Sequence, residues 1–220
     1  MIKYGRSLRW YNNYEAEIEF SKANNFDFIQ IWFQKGTLNI DNVEEPRELY
    51  LKKYNFPLLI HALFELEDFA VYDERLIEIL KYFGHVDVII HPIFSLSDKS
   101  ITDTAIHELA ENIRQINVKL KNNGITLFIE NNSKLETIIY TLDDLRIVFD
   151  KNPDVELVFD IAHIDSYEHL PIGMGDLDFK LIFSKYLKHF KGDIIFEIPE
   201  EDTVIIDSML KIKKAINGLV

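Results

Sequence analysis

Short apolar runs rich in Val, Ile, Leu and Phe recur along the chain, separated by stretches whose apolar positions return every three to four residues. The runs read as strands: IKYGRSL from Ile2, FDFIQIWF from Phe26, FPLLIHALF from Phe56, VDVIIHPIF from Val86, ITLFIENN from Ile125, VELVFDIAHI from Val155 and DIIFEIP from Asp193. Successive starts fall roughly 24 to 39 residues apart, the length of a strand, a helix and two short loops. YDERLIEILKYF sets Leu76, Ile79, Leu80 and Phe83 along one helical face. The segment from Ile101 to Asn123 has the same period and closes on Asn122, Asn123 and Gly124, a helix stop placed before a strand.

Strands alternating with helices predict a parallel sheet covered by helices. The strand runs are continuous rather than alternating, as expected where both faces are buried. A doubly wound sheet and a (β/α) barrel both fit that pattern. No GxGxxG or GxxxxGK[ST] loop follows an early strand, which weakens the nucleotide-binding doubly wound alternative. No Ser/Gly-rich linker interrupts the chain, so residues 1–220 read as a single domain.

Composition changes this picture only in places. The chain has 220 residues and no cysteine, which rules out disulfides and thiolate metal sites. The amino terminus lacks the apolar core of a signal peptide, and no apolar run reaches the length of a membrane span. A soluble, cytoplasmic protein with no membrane partner is the expectation. The net charge of −13 argues against nucleic acid as the main partner, because duplex binding needs clustered Lys and Arg.

The strand ends carry the candidate chemistry. His61 closes the apolar run in LLIHALF, His91 that in VIIHPIF, Glu130 that in LFIENN, Asp160 that in LVFDIAH and Glu197 that in IIFEIP. In a (β/α) barrel those ends converge on the face that holds the active site. A terminal carboxylate or a lone histidine is commonly structural, but five in succession inside apolar flanks would be unfavourable without a cation. A divalent metal ion (Mn, Mg, Co or Zn, with iron also compatible) is therefore expected. Asp160 and His163 lie three residues apart, which in a continuous strand points them to opposite faces. They converge only if the strand ends near Asp160 and the chain bends. His85, His107 and His189 fall in or beside helical segments and are expected at the surface.

These motifs resemble the xylose isomerase-like (β/α)8 barrels, which include sugar isomerases and epimerases and the endonuclease IV-type enzymes. The resemblance rests on the strand ends at His61 and His91, IEN at Glu130, FDIAH at Asp160 and His163, HLPIGMGDLDF from His169 to Phe179, and IFEI at Glu197. It implies that Glu130, Asp160 and Glu197 hold one divalent metal. It also implies that Glu130 and Glu197 remove and return a proton beside a carbonyl, and that His163 contacts substrate or a second metal. In the endonuclease branch His61 and His91 match zinc ligands and Glu130 bridges metals. His61, Trp10 and Gly173 are candidate substrate contacts, and His91 and His169 further candidate metal ligands. The glycines near Gly173 read equally as a tight turn or as a place where backbone amides approach a substrate.

Two departures stand out. Only SYE separates HID from HLPIG, where the family usually carries a strand ending in an H-x-x-D-like motif, so the barrel is expected to be shortened around its sixth to seventh βα units. Gln30 also stands where the family often has a glutamate. A barrel short of a strand would expose edges that a second copy of the chain could cover. The expected function is metal-dependent isomerisation or epimerisation of a small sugar or sugar phosphate. The alternatives are a phosphodiesterase acting on abasic DNA and a degenerate barrel without turnover.

Overall fold

The computed structural model describes residues 2–40, 46–93, 103–133, 138–139, 141–161, 163, 170–175, 177–186, 190–198 and 201–217. The chain divides into two compact units, one of Met1–Gln30, Phe56–Leu58 and His169–Val220, the other of Ile31–Asn55 and Leu59–Glu168.

In the first unit β1 (Tyr4–Ser7) is flanked by parallel neighbours on both edges. Gly5 pairs with Phe28 of β2 (Phe28–Gln34) and with Ile195 of Ile194–Phe196. Helix α1 (Tyr14–Ala23) begins at Asn13, whose side chain accepts the Ala16 N–H at 3.1 Å, and two glutamates in its first turn suit the helix dipole. A charged group joins strand to helix. Arg6, closed to solvent, hydrogen-bonds Glu17, which also takes Arg9 at 2.7 Å and the Asn12 amide at 2.8 Å. Phe26, Phe183, Phe196, Ile205, Met209 and Ile212 form the apolar core, the last three from helix Asp202–Asn217.

In the second unit β4 (Leu58–Phe64), β5 (Asp87–Pro92), β6 (Thr126–Glu130) and β7 (Glu156–Val158) run parallel in chain order. Its helices are α2 (Arg47–Tyr54), α3 (Asp68–Val71), α4 (Asp73–Phe83), α5 (Asp103–Asn122) and α6 (Leu142–Lys151). The expected face of α4 is the buried one: Leu76, Ile79 and Leu80 are almost closed to solvent, each contributing about 1.5–3 kcal/mol by burial. The stop after α5 is also where expected, with Gly124 at φ +72° and the Ile125 N–H returning to the Leu120 carbonyl at 3.0 Å. Residues 101 and 102 of that expected helix lie outside the described residues.

Three expectations change. A short strand, β3 (Thr37–Leu38), folds back on β2 through Lys35 (φ +47°) and Gly36 (φ +82°), a two-residue turn with both φ positive. The run from Val155 yields only three strand residues, and Glu156, Leu157 and Phe159 are exposed rather than buried on both faces. His85 is half-buried, not a surface residue, and burial lowers its pKa to about 4. His107 is exposed as expected, and His189 lies outside the described residues. Among the described residues seven strands take part in parallel pairing, against the eight of a complete (β/α)8 barrel. No helix of the described residues is long and apolar enough to cross a membrane.

Candidate metal centre

Register explains how three side chains from separate strands meet. Leu63 pairs with His91, and His61 shares a strand face with Leu63 two residues on. Ile90 pairs with Ile129, so His91 and Glu130, one residue further along each strand, also share a face. His61, His91 and Glu130 therefore project together from β4, β5 and β6. His61 Nε2 lies 2.8 Å from Glu130 Oε2, and His91 Nδ1 lies 3.7 Å from the same oxygen. The apolar run does not end at His61: β4 continues to Phe64, so His61 stands mid-strand with Trp32 stacked on its ring at 4.4 Å.

β7 stops at Val158, and the bend required by Asp160 and His163 follows at once. His163 Nε2 comes within 3.6 Å of Asp160 Oδ2, while Nδ1 lies 3.7 Å from Glu130 Oε1 and 2.8 Å from the Asn131 carbonyl oxygen. The Asn131 side chain accepts the Asp160 N–H at 2.8 Å and donates to the Asp160 carbonyl at 3.0 Å. Asn132 donates to the Pro92 carbonyl at 2.6 Å. The two asparagines were missed in the sequence. Their only signal is a polar pair directly after an apolar strand.

Two ligand groups result, His61 with His91 and Glu130, and Glu130 with Asp160 and His163; within each, one ligand atom per residue lies within 4.8 Å of the others. Ligands held about 2.1 Å from one ion stand roughly 3–4 Å apart, so the donor set fits a divalent cation. The contacting atoms are nearly closed to solvent: side-chain exposure is 1% for His61, 2% for Glu130 and 3% for His163. Burial alone would raise the Glu130 pKa. Interaction with the His61 ring, then with those of His91 and His163, outweighs it and holds the carboxyl down to about 2. A carboxylate kept ionised in so dry a place needs positive charge beside it, from protons on the rings or from a metal.

The other expected residues are placed as follows. Glu197 belongs to the first unit, where the fully buried Gln30 donates its amide N–H to Glu197 Oε1. Trp10, also in the first unit, is 45% exposed and meets Tyr11 edge-on. Gly173 has φ +85° within a turn in which the Met174 N–H reaches the Pro171 carbonyl at 2.9 Å, which favours the tight-turn reading of this glycine. His169 lies outside the described residues.

Neither a protein-family model nor a curated protein sequence matches the chain. Solved structures do. A D-tagatose 3-epimerase-like protein superposes with a TM-score of 0.78 at 17% identity, over 99% of this chain and 98% of that one. An L-ribulose 3-epimerase gives 0.75 at 15% identity, over 100% and 96%. A probable 3-DHS dehydratase involved in petrobactin synthesis in Bacillus anthracis gives 0.70 at 13%, over 96% and 99%. These likenesses, at 13–17% identity, show the fold, a (β/α) barrel.

Proposed function

We propose that this chain is a divalent-metal-dependent isomerase or epimerase of a small sugar or sugar phosphate, acting by proton abstraction beside a carbonyl. The observation that carries the reading is the position of Glu130: one buried carboxylate at the end of β6, shared by two three-residue ligand groups. Sugar epimerases are among the proteins that share the fold.

Glu130, Asp160 and His163 would hold the metal, with His61 and His91 beside Glu130 as further ligands. A bound divalent cation supplies Lewis acidity that polarises a substrate carbonyl and its neighbouring hydroxyl. Glu130 and Glu197 are the pair that would remove and return the proton. The low pKa of Glu130 keeps it ionised, which suits ligation, and the other member of the pair is Glu197. Gln30 orients that carboxylate by donating to Oε1. Trp32, stacked on His61, keeps water from one side of the imidazole.

A second reading is a metal-dependent phosphodiesterase acting on abasic DNA. It is favoured by the group of His61, His91 and Glu130, an imidazole-rich set that suits zinc and lets Glu130 bridge two ions. The net charge of −13 opposes it.

Elemental analysis of wild type, Glu130→Gln and Asp160→Asn, followed by parallel assays on ketose sugars, their phosphates and an abasic duplex, decides between these readings. One metal per chain, lost in both variants, together with epimerised or isomerised sugar, is the expected result. Two or more zinc ions with strand cleavage would move the phosphodiesterase ahead. Wild type that takes up no Mn²⁺, Co²⁺ or Zn²⁺ would leave a barrel without turnover.

A further inference from the structure

We propose that Asn131 is a positioning residue of this site, acting on Asp160 through its side chain and on His163 through its main-chain carbonyl. The inference rests on the metal-holding reading of the site and assigns a role to a residue outside the ligand set.

The backbone ladder between β6 and β7 pairs Glu130 with Val158, and the Asn131 N–H reaches the Val158 carbonyl at 3.4 Å. Beyond that point the side chain of Asn131 takes the place of a neighbouring strand. Its Oδ1 accepts from the Asp160 N–H at 2.8 Å and its Nδ2 donates to the Asp160 carbonyl at 3.0 Å. One amide thus satisfies both backbone groups of Asp160, as a peptide unit on an adjacent strand would. The chain can leave the sheet there without abandoning those groups. Asp160 is anchored by its main chain, leaving its carboxylate to face His163.

The third contact sets the imidazole. His163 Nδ1 lies 2.8 Å from the Asn131 carbonyl oxygen, which can only accept, so Nδ1 carries the proton. In the neutral ring Nε2 then bears the lone pair, and Nε2 is the atom 3.6 Å from Asp160 Oδ2. A lone pair facing a carboxylate oxygen at that distance is the arrangement of two ligands with a cation between them. A backbone carbonyl that fixes the tautomer of a metal-binding histidine is a recurring outer-shell device. Asn131 is 6% exposed and Asn132, beside it, 2%, so water does not compete for these bonds.

The test has two arms. Long-range ¹H–¹⁵N spectra of metal-free protein, with the imidazole neutral, should show His163 protonated on Nδ1 in wild type and still so in Asn131→Ala, which keeps the main-chain carbonyl. Cobalt titration should show Asn131→Asp binding Co²⁺ about 10 to 100-fold more weakly, because Asp still accepts from the Asp160 N–H but sets an oxygen against the Asp160 carbonyl. A proton on Nε2 of wild-type His163, or Co²⁺ affinity in Asn131→Asp equal to wild type, would overturn the proposal. If wild type binds no Co²⁺, the metal reading of the site falls by itself, and the tautomer spectra alone decide the role of Asn131. Should Asn131→Ala fail to unfold cooperatively, Asn131→Ser and the wild-type spectrum carry the tautomer arm.

Discussion

His61 Nε2 stands 2.8 Å from Glu130 Oε2, with strand β5 lying between the strands that carry them. Both side chains are nearly closed to solvent, so removing the carboxylate leaves the imidazole without its buried partner. In metal-free protein at pH 7, Glu130→Gln should lower unfolding stability by about 3–5 kcal/mol, read from urea denaturation. The folded-state pKa is held below the ordinary carboxylate value, so this stability is present above about pH 4.5 and is lost as pH falls toward 2. Equal midpoints for the two proteins at pH 7 would contradict the pairing.

Gln30 donates to Glu197, and a glutamate at that position would set two carboxylates side by side in a partly buried place. In Gln30→Glu one proton should be shared by the pair, raising the folded-state pKa of one carboxyl above its unfolded value. Stability should then be near wild type at pH 4 and fall by about 1–3 kcal/mol as pH rises toward 8. A midpoint difference that does not vary over that range would show that the two groups are not in contact.

The group formed by Arg6, Arg9 and Glu17 holds two guanidiniums on one buried carboxylate. Burial lowers the Arg6 pKa, and Glu17 is the main group opposing that shift. Glu17→Gln should destabilise by about 3–5 kcal/mol, since charge without a partner remains in a dry interior. Thermal unfolding checks this, and a change under 1 kcal/mol would contradict it.

His85 titrates in a different sense. Burial lowers its folded-state pKa to about 4 from an unfolded value near 6.5, so the unfolded chain binds more protons between those values. Stability contributed by the neutral ring is present above pH 6.5 and is lost as pH falls to about 4, by up to about 3 kcal/mol. His85→Gln should flatten urea midpoints over that window. A slope unchanged from wild type would assign the acid sensitivity to other groups.

Local pattern carried much of the fold. The strands around Phe28, Leu58, Asp87, Thr126 and Ile194, the apolar face of α4 and the stop at Gly124 depend on neighbours close in the chain, and each lies at or near its expected place. Helical and strand periods are local properties, so they survive being read one segment at a time. The hairpin through Lys35 and Gly36 was missed although its two-residue turn is also local, because β3 is too short to show any alternation.

By itself the sequence determined an alternation of strands and helices, a chain without thiolate ligands, and a set of carboxylates and imidazoles at or near strand ends. Only the tertiary structure decided which of them meet. Register placed His61, from the middle of its strand, against Glu130, and Asn131 held Asp160 with its side-chain amide and His163 with its main-chain carbonyl where β7 gave out. The physical reason is that metal ligation depends on distances of a few ångströms between atoms far apart in the chain. Those distances follow from strand register and from side chains that take over backbone pairing, and neither leaves a periodic mark on the sequence.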